Sequence, residues 1–90
     1  MDEPVILPVD GCLDLHAFAP AEAARVTDDY LAECARAGIL EVRVIPGKGT
    51  GAMKRTILMS LSQNPRVAAV REAPPGLGGW GALLVTLKRE

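Results

Sequence analysis

Apolar residues alternate with polar ones in several short stretches of this chain, which is the pattern of half-buried β-strands. In the first stretch, Leu13 and Leu15 fall on one side of an extended segment, and Asp14 and His16 fall on the other. Similar or purely apolar runs recur further along the chain. The predicted strands cover residues 12–16, 41–45, 67–70 and 82–87.

Two segments between these strands have apolar residues at helical spacing. The first begins at Pro20, which suits the first position of a helix, and ends before Gly38. The second covers about residues 51–63 and is stopped by Asn64-Pro65. The predicted inward-facing residues are Ala23, Val26, Tyr30 and Cys34 on the first helix, and Met53, Ile57, Leu58 and Leu61 on the second.

The element order β-α-β-α-β-β predicts an α/β fold, a two-layer sandwich with a four-stranded mixed sheet. Each β-α-β crossover should be right-handed with parallel neighbouring strands, and the last strand can return antiparallel. With only two helices, one face of the sheet has no helical cover. Residues 1–10, which include Pro4 and Pro8, are expected to form an extended arm, and residues 11–90 a single domain.

A glycine-rich turn joins the second predicted strand to the second helix. Residues 46–51 read Pro-Gly-Lys-Gly-Thr-Gly. Unpaired main-chain N–H groups at a helix start favour phosphate or carboxylate, and glycines let such a ligand approach the main chain. Lys48 adds a mobile positive charge. The turn is therefore a candidate anion site.

The charge distribution points to the same part of the chain. Although the net charge is only −1, residues 1–41 contain nine acidic residues against two basic ones, and residues 42–71 contain six basic residues and no acidic one. Such asymmetry indicates an anionic partner such as DNA or RNA, although a solvated basic face is the alternative. The six cations are Arg43, Lys48, Lys54, Arg55, Arg66 and Arg71.

Composition limits the other classes of protein. With 90 residues and 49% apolar content, the chain can form one small core without disulfides. Cys12 and Cys34 do not have metal-site spacing, and we interpret both as buried thiols in a reducing compartment. The acidic N-terminus has no secretory signal, and no apolar run is long enough to span a membrane. We expect a cytoplasmic protein, monomeric rather than oligomeric.

Asp14 and His16 are the candidate catalytic pair. Two residues apart on a strand, they point to one face, so the carboxylate can orient the imidazole, or the pair can hold a hydrated cation such as Mg²⁺ beside a phosphodiester. The alternative is a structural pair that satisfies hydrogen bonds at a strand end. His16 is the only histidine, which makes it the simplest general base.

Trp80 lies between glycines just before the last predicted strand. An exposed tryptophan there could stack on a nucleic-acid base. Because the chain has only two other aromatic residues, covering the small core is the favoured interpretation.

Three motifs together resemble the Smr (small MutS-related) domain family, in particular its short stand-alone bacterial members. They are Leu-Asp-Leu-His at 13–16, Val-Ile-Pro-Gly-Lys-Gly-Thr-Gly at 44–51 and Gly-Gly-Trp-Gly at 78–81. The resemblance covers about residues 10–88. It implies a fold similar to the C-terminal domain of translation initiation factor three, nucleic-acid binding, and nicking of branched DNA or cleavage of RNA, the activities of several members.

The sequence departs from the family pattern at two positions. Pro46 stands where the glycine turn usually opens with histidine. Ala17 follows the LDLH motif, at a position where the family has a small residue that is most often glycine. Proline offers neither a proton-transferring side chain nor a main-chain N–H, which weakens the case for cleavage and leaves that for binding. The predicted nucleic-acid contacts are Arg43, Gly47, Lys48, Gly49, Thr50, Gly51, Lys54, Arg55, Arg66 and Trp80.

Two other functions fit parts of the sequence. Gly47, Gly49 and Ala52 match the dinucleotide fingerprint between a strand and a helix, with Glu72 about 20 residues further on. The chain contains only one such unit, and it is too short to form the two mononucleotide-binding halves of a dinucleotide-binding domain. A protein-interaction module whose basic segment meets an acidic partner is the other alternative.

Overall fold

The structure is a computed structural model that describes residues 9–46, 51–74 and 82–89. The predicted arm over residues 1–10 falls mainly outside this range and stays a prediction. The elements follow the predicted order: β1 (Cys12–Asp14), α1 (Pro20–Arg36), β2 (Glu41–Ile45), α2 (Ala52–Ser62), β3 (Val67–Glu72) and β4 (Leu83–Leu87). Neither of these two helices has the length and apolar character needed to cross a membrane.

The four strands form one mixed sheet in the order β1-β2-β4-β3. β1 and β2 are parallel, and β4 is antiparallel to both β2 and β3. The first crossover joins the parallel neighbours β1 and β2, as expected. The expectation is wrong for the second crossover, because β4 lies between β2 and β3, which are therefore not neighbours. Leu83, Val85 and Leu87 of β4 are all buried, which suits a strand that pairs along both edges.

Both helices pack on the same face of the sheet, so the core lies between the two layers. Of the predicted inward positions, Leu58 is wrong, being 38% exposed. Ile57 and Leu61 are buried as predicted, and the third buried residue of α2 is Lys54. On α1, Leu31 is fully buried although the sequence pattern did not single it out.

A tyrosine hydroxyl holds the start of β1 against α1. The Tyr30 side chain is only 4% exposed, and its oxygen accepts main-chain N–H bonds from Asp10, Gly11 and Cys12 at 3.2, 3.1 and 3.2 Å. Burial raises the pKa of the Tyr30 hydroxyl. Gly11 has φ +87°, and a Cβ there would approach the carbonyl oxygen of Glu41 to 3.3 Å, so the turn entering β1 requires glycine.

The two cysteines lie in different environments. Cys34 is fully buried, and burial raises the pKa of its thiol. Cys12 is exposed, which corrects the expectation of two buried thiols. Position 12 precedes the buried Leu13 and therefore points to the face of the sheet that the helices leave uncovered.

Tyr30→Phe should destabilise the fold without changing its core volume. The substitution leaves main-chain N–H groups at the start of β1 without their acceptor, which should lower the free energy of unfolding by about 1–3 kcal/mol. Urea denaturation followed by circular dichroism measures the effect.

Thr27→Val is the matched control, because it also removes one buried hydroxyl. Thr27 Oγ1 donates to the Ala23 carbonyl inside α1, at 2.7 Å, and leaves no main-chain donor without a partner when removed. An equal or smaller loss for Tyr30→Phe than for Thr27→Val would contradict the role assigned to Tyr30.

Candidate nucleic-acid interface

Asp14 and His16 form a contact at the end of β1. The Nδ1 atom of His16 lies 2.7 Å from Oδ1 of Asp14, and the main-chain N–H of His16 donates to the same oxygen at 3.0 Å. The side chains are 72% and 50% exposed for His16 and Asp14, respectively. The carboxylate thus accepts a main-chain N–H just beyond Asp14, the last residue of β1, where the chain turns.

The pair has a defined protonation pattern. The main-chain N–H of His16, followed by its imidazole, holds the pKa of the Asp14 carboxyl below its ordinary value, so Asp14 is ionised near neutral pH. An ionised carboxylate beside Nδ1 favours the tautomer that has its proton on Nδ1. The neutral ring of His16 then has Nε2 as its proton acceptor.

The pair lies at the carboxyl edge of the sheet, defined as the edge at which β1 and β2 end. Asp14 is the register partner of Ile45, and the main-chain N–H of Leu15 donates to the carbonyl of Ile45 at 2.8 Å. Pro46 follows Ile45 and is buried. The structure therefore places the pair beside the strand end from which the glycine-rich turn departs, as predicted from the parallel topology.

The start of α2 has the features of an anion site. Its N-cap is Gly51, with φ +95°, and no side chain of the described residues caps it. The first turn contains no acidic residue, in contrast to α1, where Glu22 accepts a bond from the main chain of Ala19 at 3.4 Å. The first main-chain N–H groups of α2 therefore have no capping side chain among the described residues. Arg55 is exposed in this first turn.

Lys54 points inward. Its side chain is 11% exposed, and its ammonium forms an ion pair with Glu72 at the end of β3. This contact fastens the first turn of α2 to an edge strand of the sheet. The arrangement makes Lys54 a structural residue in this state, and we leave it out of the proposed nucleic-acid surface.

The remaining predicted cations do not form one surface. Arg43 lies on the uncovered face of the sheet, opposite Cys12. Arg66 precedes β3 and, through the bond from the Lys88 main-chain N–H to its carbonyl, lies at the edge where β2 begins. That edge is opposite the one at which β2 ends. The predicted contacts outside the described residues are Gly47, Lys48, Gly49, Thr50 and Trp80.

Arg71 is a candidate that the sequence analysis did not include among the site residues. The prediction ended the third strand at Val70, whereas β3 continues to Glu72. Arg71 pairs with Leu84 of β4 and shares the uncovered face with Arg43. The apolar–polar pattern gave no signal for this extension, because Arg71 and Glu72 are both charged.

The described residues hold no group of three or more histidine, cysteine or acidic side chains able to enclose a metal ion. Mg²⁺ does not require such a cage, because it is commonly held by one or two carboxylates together with substrate phosphates. Asp14 is a carboxylate of this kind. One of its oxygens is bonded to His16, and its second oxygen could contact an ion beside a phosphodiester.

Comparison with known proteins identifies the type of domain. Residues 13–88 match the Smr domain family. The chain belongs to this family. Endonuclease MutS2 from Thermus thermophilus is 38% identical over 76 residues, which is 84% of this chain and 10% of that protein. Endonuclease MutS2 from Clostridium tetani is 41% identical over 80 residues, or 89% of this chain and again 10% of the relative.

Solved structures agree with this assignment. The crystal structure of the Smr domain of Thermus thermophilus MutS2 superposes with a TM-score of 0.83 at 37% identity, covering 88% of this chain and 99% of that one. YdaL, a stand-alone small MutS-related protein from Escherichia coli, gives a TM-score of 0.77 at 25% identity, covering 87% and 64%. The Smr fold predicted from the three motifs is thus confirmed. The chain spans about a tenth of the length of the MutS2 relatives.

His16→Ala should raise the pKa of the Asp14 carboxyl but leave it below the ordinary value of aspartate. The imidazole contact disappears, while the main-chain N–H of residue 16, the larger cause of the lowering, remains. Because the folded pKa is lowered, the pair stabilises the fold above the unfolded pKa, and this contribution is lost as the pH falls through the folded value. Carboxyl-carbon NMR titration of wild type and variant measures both pKa values; equal values would contradict the contact.

Proposed function

We propose that this Smr domain binds nucleic acid at the carboxyl edge of its sheet and cleaves a phosphodiester bond there slowly, with His16 as the general base. The supporting observation is the exposed contact between Asp14 and His16 beside the end of β2. Membership of the Smr family and the similarity to the endonuclease MutS2 proteins support the same class of function.

In this mechanism Asp14 is a positioning residue and His16 is the catalytic one. The carboxylate holds Nδ1 and stabilises the imidazolium that forms when Nε2 accepts a proton. The proton comes from the attacking oxygen, which is a 2′-hydroxyl in RNA or a water molecule in DNA. The high exposure of the His16 ring leaves room for a polymeric substrate at this position.

The start of α2 would hold another phosphate of the same strand, further along the carboxyl edge. Its uncapped main-chain N–H groups and those of a glycine-rich turn favour a negatively charged group. Arg55, exposed in the first turn of α2, adds a formal positive charge, and Lys48 is expected from the sequence to add another. Mg²⁺, held by Asp14 and the substrate, would further neutralise phosphate charge.

Pro46 is the reason for expecting slow cleavage. The departing oxygen needs a proton, and Pro46, which opens the glycine-rich turn, cannot supply one. The remaining donor is water. Nucleic-acid binding does not depend on this proton, so we expect binding to be retained where cleavage is weak.

The strand order does not favour the dinucleotide alternative. That site requires the acidic residue on a strand next to the one before the glycine turn. Glu72 lies on β3, which β4 separates from β2, and its carboxylate is paired with Lys54.

One experiment addresses binding and cleavage together. The protein is incubated with end-labelled branched DNA, plain duplex and structured RNA, each with Mg²⁺ and with EDTA. Retention at increasing salt reports phosphate contact, and denaturing gels report strand scission. Absence of salt-sensitive retention on every substrate would refute the proposed function and favour the protein-interaction alternative.

His16→Ala should reduce cleavage by about 10²–10⁴-fold, because the variant has no general base. Binding of the same substrate should change little, since the phosphate contacts of this proposal are assigned to the start of α2 and not to His16. Glu22→Ala, at an exposed position on α1, is the control for nuclease contamination and for general effects of substitution. Cleavage by His16→Ala at the wild-type rate would show that His16 is not the base.

Pro46→His should increase cleavage, on the order of tenfold or more, by supplying a proton donor for the departing oxygen. Because Pro46 is buried, circular dichroism and thermal unfolding must first show that the variant folds. Pro46→Ala is the matched control, since it also removes the ring but adds no titratable group. Equal cleavage by a folded Pro46→His and by Pro46→Ala would show that a missing proton donor does not limit the reaction.

A further inference from the structure

The face of the sheet that the helices leave uncovered presents a shallow groove. It has a volume of about 410 Å³ and is lined by Cys12, Arg43, Leu84 and Arg71, among others. These four residues are register partners on successive strands, so they form one row across the whole sheet. The row lies on the face opposite the hydrophobic core.

Two arginines flank an apolar surface in this row. Leu84 is half-buried on the central strand β4, with Arg43 of β2 on one side and Arg71 of β3 on the other. Two strand spacings separate their Cα atoms, or about 10 Å. A guanidinium can bond a phosphate with two N–H groups and can also stack on a base, while an apolar floor accepts the face of an unpaired base.

The row connects with the proposed catalytic pair. Asp14 is two residues beyond Cys12 on β1 and therefore points to the same face, about 7 Å closer to the carboxyl edge. At the other end of the groove, Glu41 is held by the Thr86 hydroxyl at 2.7 Å and would repel phosphates. The ionised Asp14 also repels phosphates, so the part of this face that favours a polyanion is the arginine row between Glu41 and Asp14.

From this arrangement we infer that the uncovered face binds a single strand of nucleic acid, whose phosphates contact Arg43 and Arg71 and whose bases lie on Leu84, with the strand continuing to Asp14 and His16. This inference rests on the proposed function and extends it to the substrate. A duplex, whose bases are stacked inside, offers no base faces to Leu84. An aligned second copy would bring arginines against arginines.

The first test compares two double variants of equal charge change. Arg43→Ala/Arg71→Ala alters the groove, and Arg25→Ala/Arg36→Ala removes two exposed arginines from α1. Fluorescence anisotropy with a labelled single-stranded oligonucleotide gives affinity at several salt concentrations. The groove variant should bind on the order of tenfold more weakly. Its salt slope should be smaller by about 1.4, the value for two lost single-strand phosphate contacts.

The outcomes separate this inference from the function on which it rests. If the wild type binds no nucleic acid, the proposed function fails. If the wild type binds and the groove variant matches the α1 variant in affinity and salt slope, only the role of the uncovered face is overturned. Equal or tighter wild-type binding to a blunt duplex would also overturn the assignment to a single strand.

Cys12 provides a second test that needs no loss of affinity. Its thiol is exposed in the groove, and Cys34 is fully buried, so alkylation by N-ethylmaleimide followed by mass spectrometry reports on one site in the folded protein. Saturating oligonucleotide should slow the alkylation of Cys12 at least several-fold. The control is Cys12→Ser/Arg25→Cys, which places the thiol on α1 and should show no protection.

Unchanged alkylation of Cys12 in the presence of saturating oligonucleotide would overturn the inference. So would protection that follows protein concentration without nucleic acid, because it would identify the face as an interface between copies of the chain. Sedimentation analysis of the free protein at low and at high concentration distinguishes protection by nucleic acid from protection by association of the chain with itself.

Discussion

Two helices cover only one face of the four-stranded sheet, and this constraint determines where the polar residues of the strands can lie. Every strand must alternate so that one set of side chains enters the core and the other meets solvent. Val42 and Val44 of β2 are buried, and Arg43 between them cannot be. The same rule exposes Cys12 and Asp14 on either side of Leu13. The polar side chains of β1 and β2 therefore occupy the uncovered face.

Local patterns sufficed to predict the elements and the pairing of β1 with β2, because alternation, proline, glycine and helical spacing act over a few residues. They also predicted that Asp14 and His16 share a face beside the end of β2. Local patterns could not predict that β4 lies between β2 and β3, because this position depends on which strands pair with each other over long distances in the sequence. No short-range pattern distinguishes an antiparallel strand at the edge of a sheet from one in its centre.

The basic segment shows a second limit of sequence reasoning. Six cations without an intervening acid suggest one positive surface, yet proximity along the chain does not imply proximity in space. Arg43 lies on the uncovered face, Arg55 on the helical layer, and Arg66 at the opposite edge of the sheet. Arg71 joins Arg43 only through two strand pairings, which the sequence did not reveal. Charge asymmetry thus indicates the class of partner better than it indicates the contact residues.

The ion pair between Lys54 and Glu72 is an example of both limits, the extent and pairing of strands and the placement of cations. A lysine as buried as Lys54 is costly unless its ammonium is paired, and its partner is in reach only because β3 extends as far as Glu72. The pair fixes the first turn of α2 over an edge strand, at the opposite side of the sheet from β1 and the Asp14–His16 contact. Three strand spacings, about 14 Å, separate those two strands. A ligand that contacts both the helix start and His16 must be extended along this edge, which suits a polymer better than a small anion.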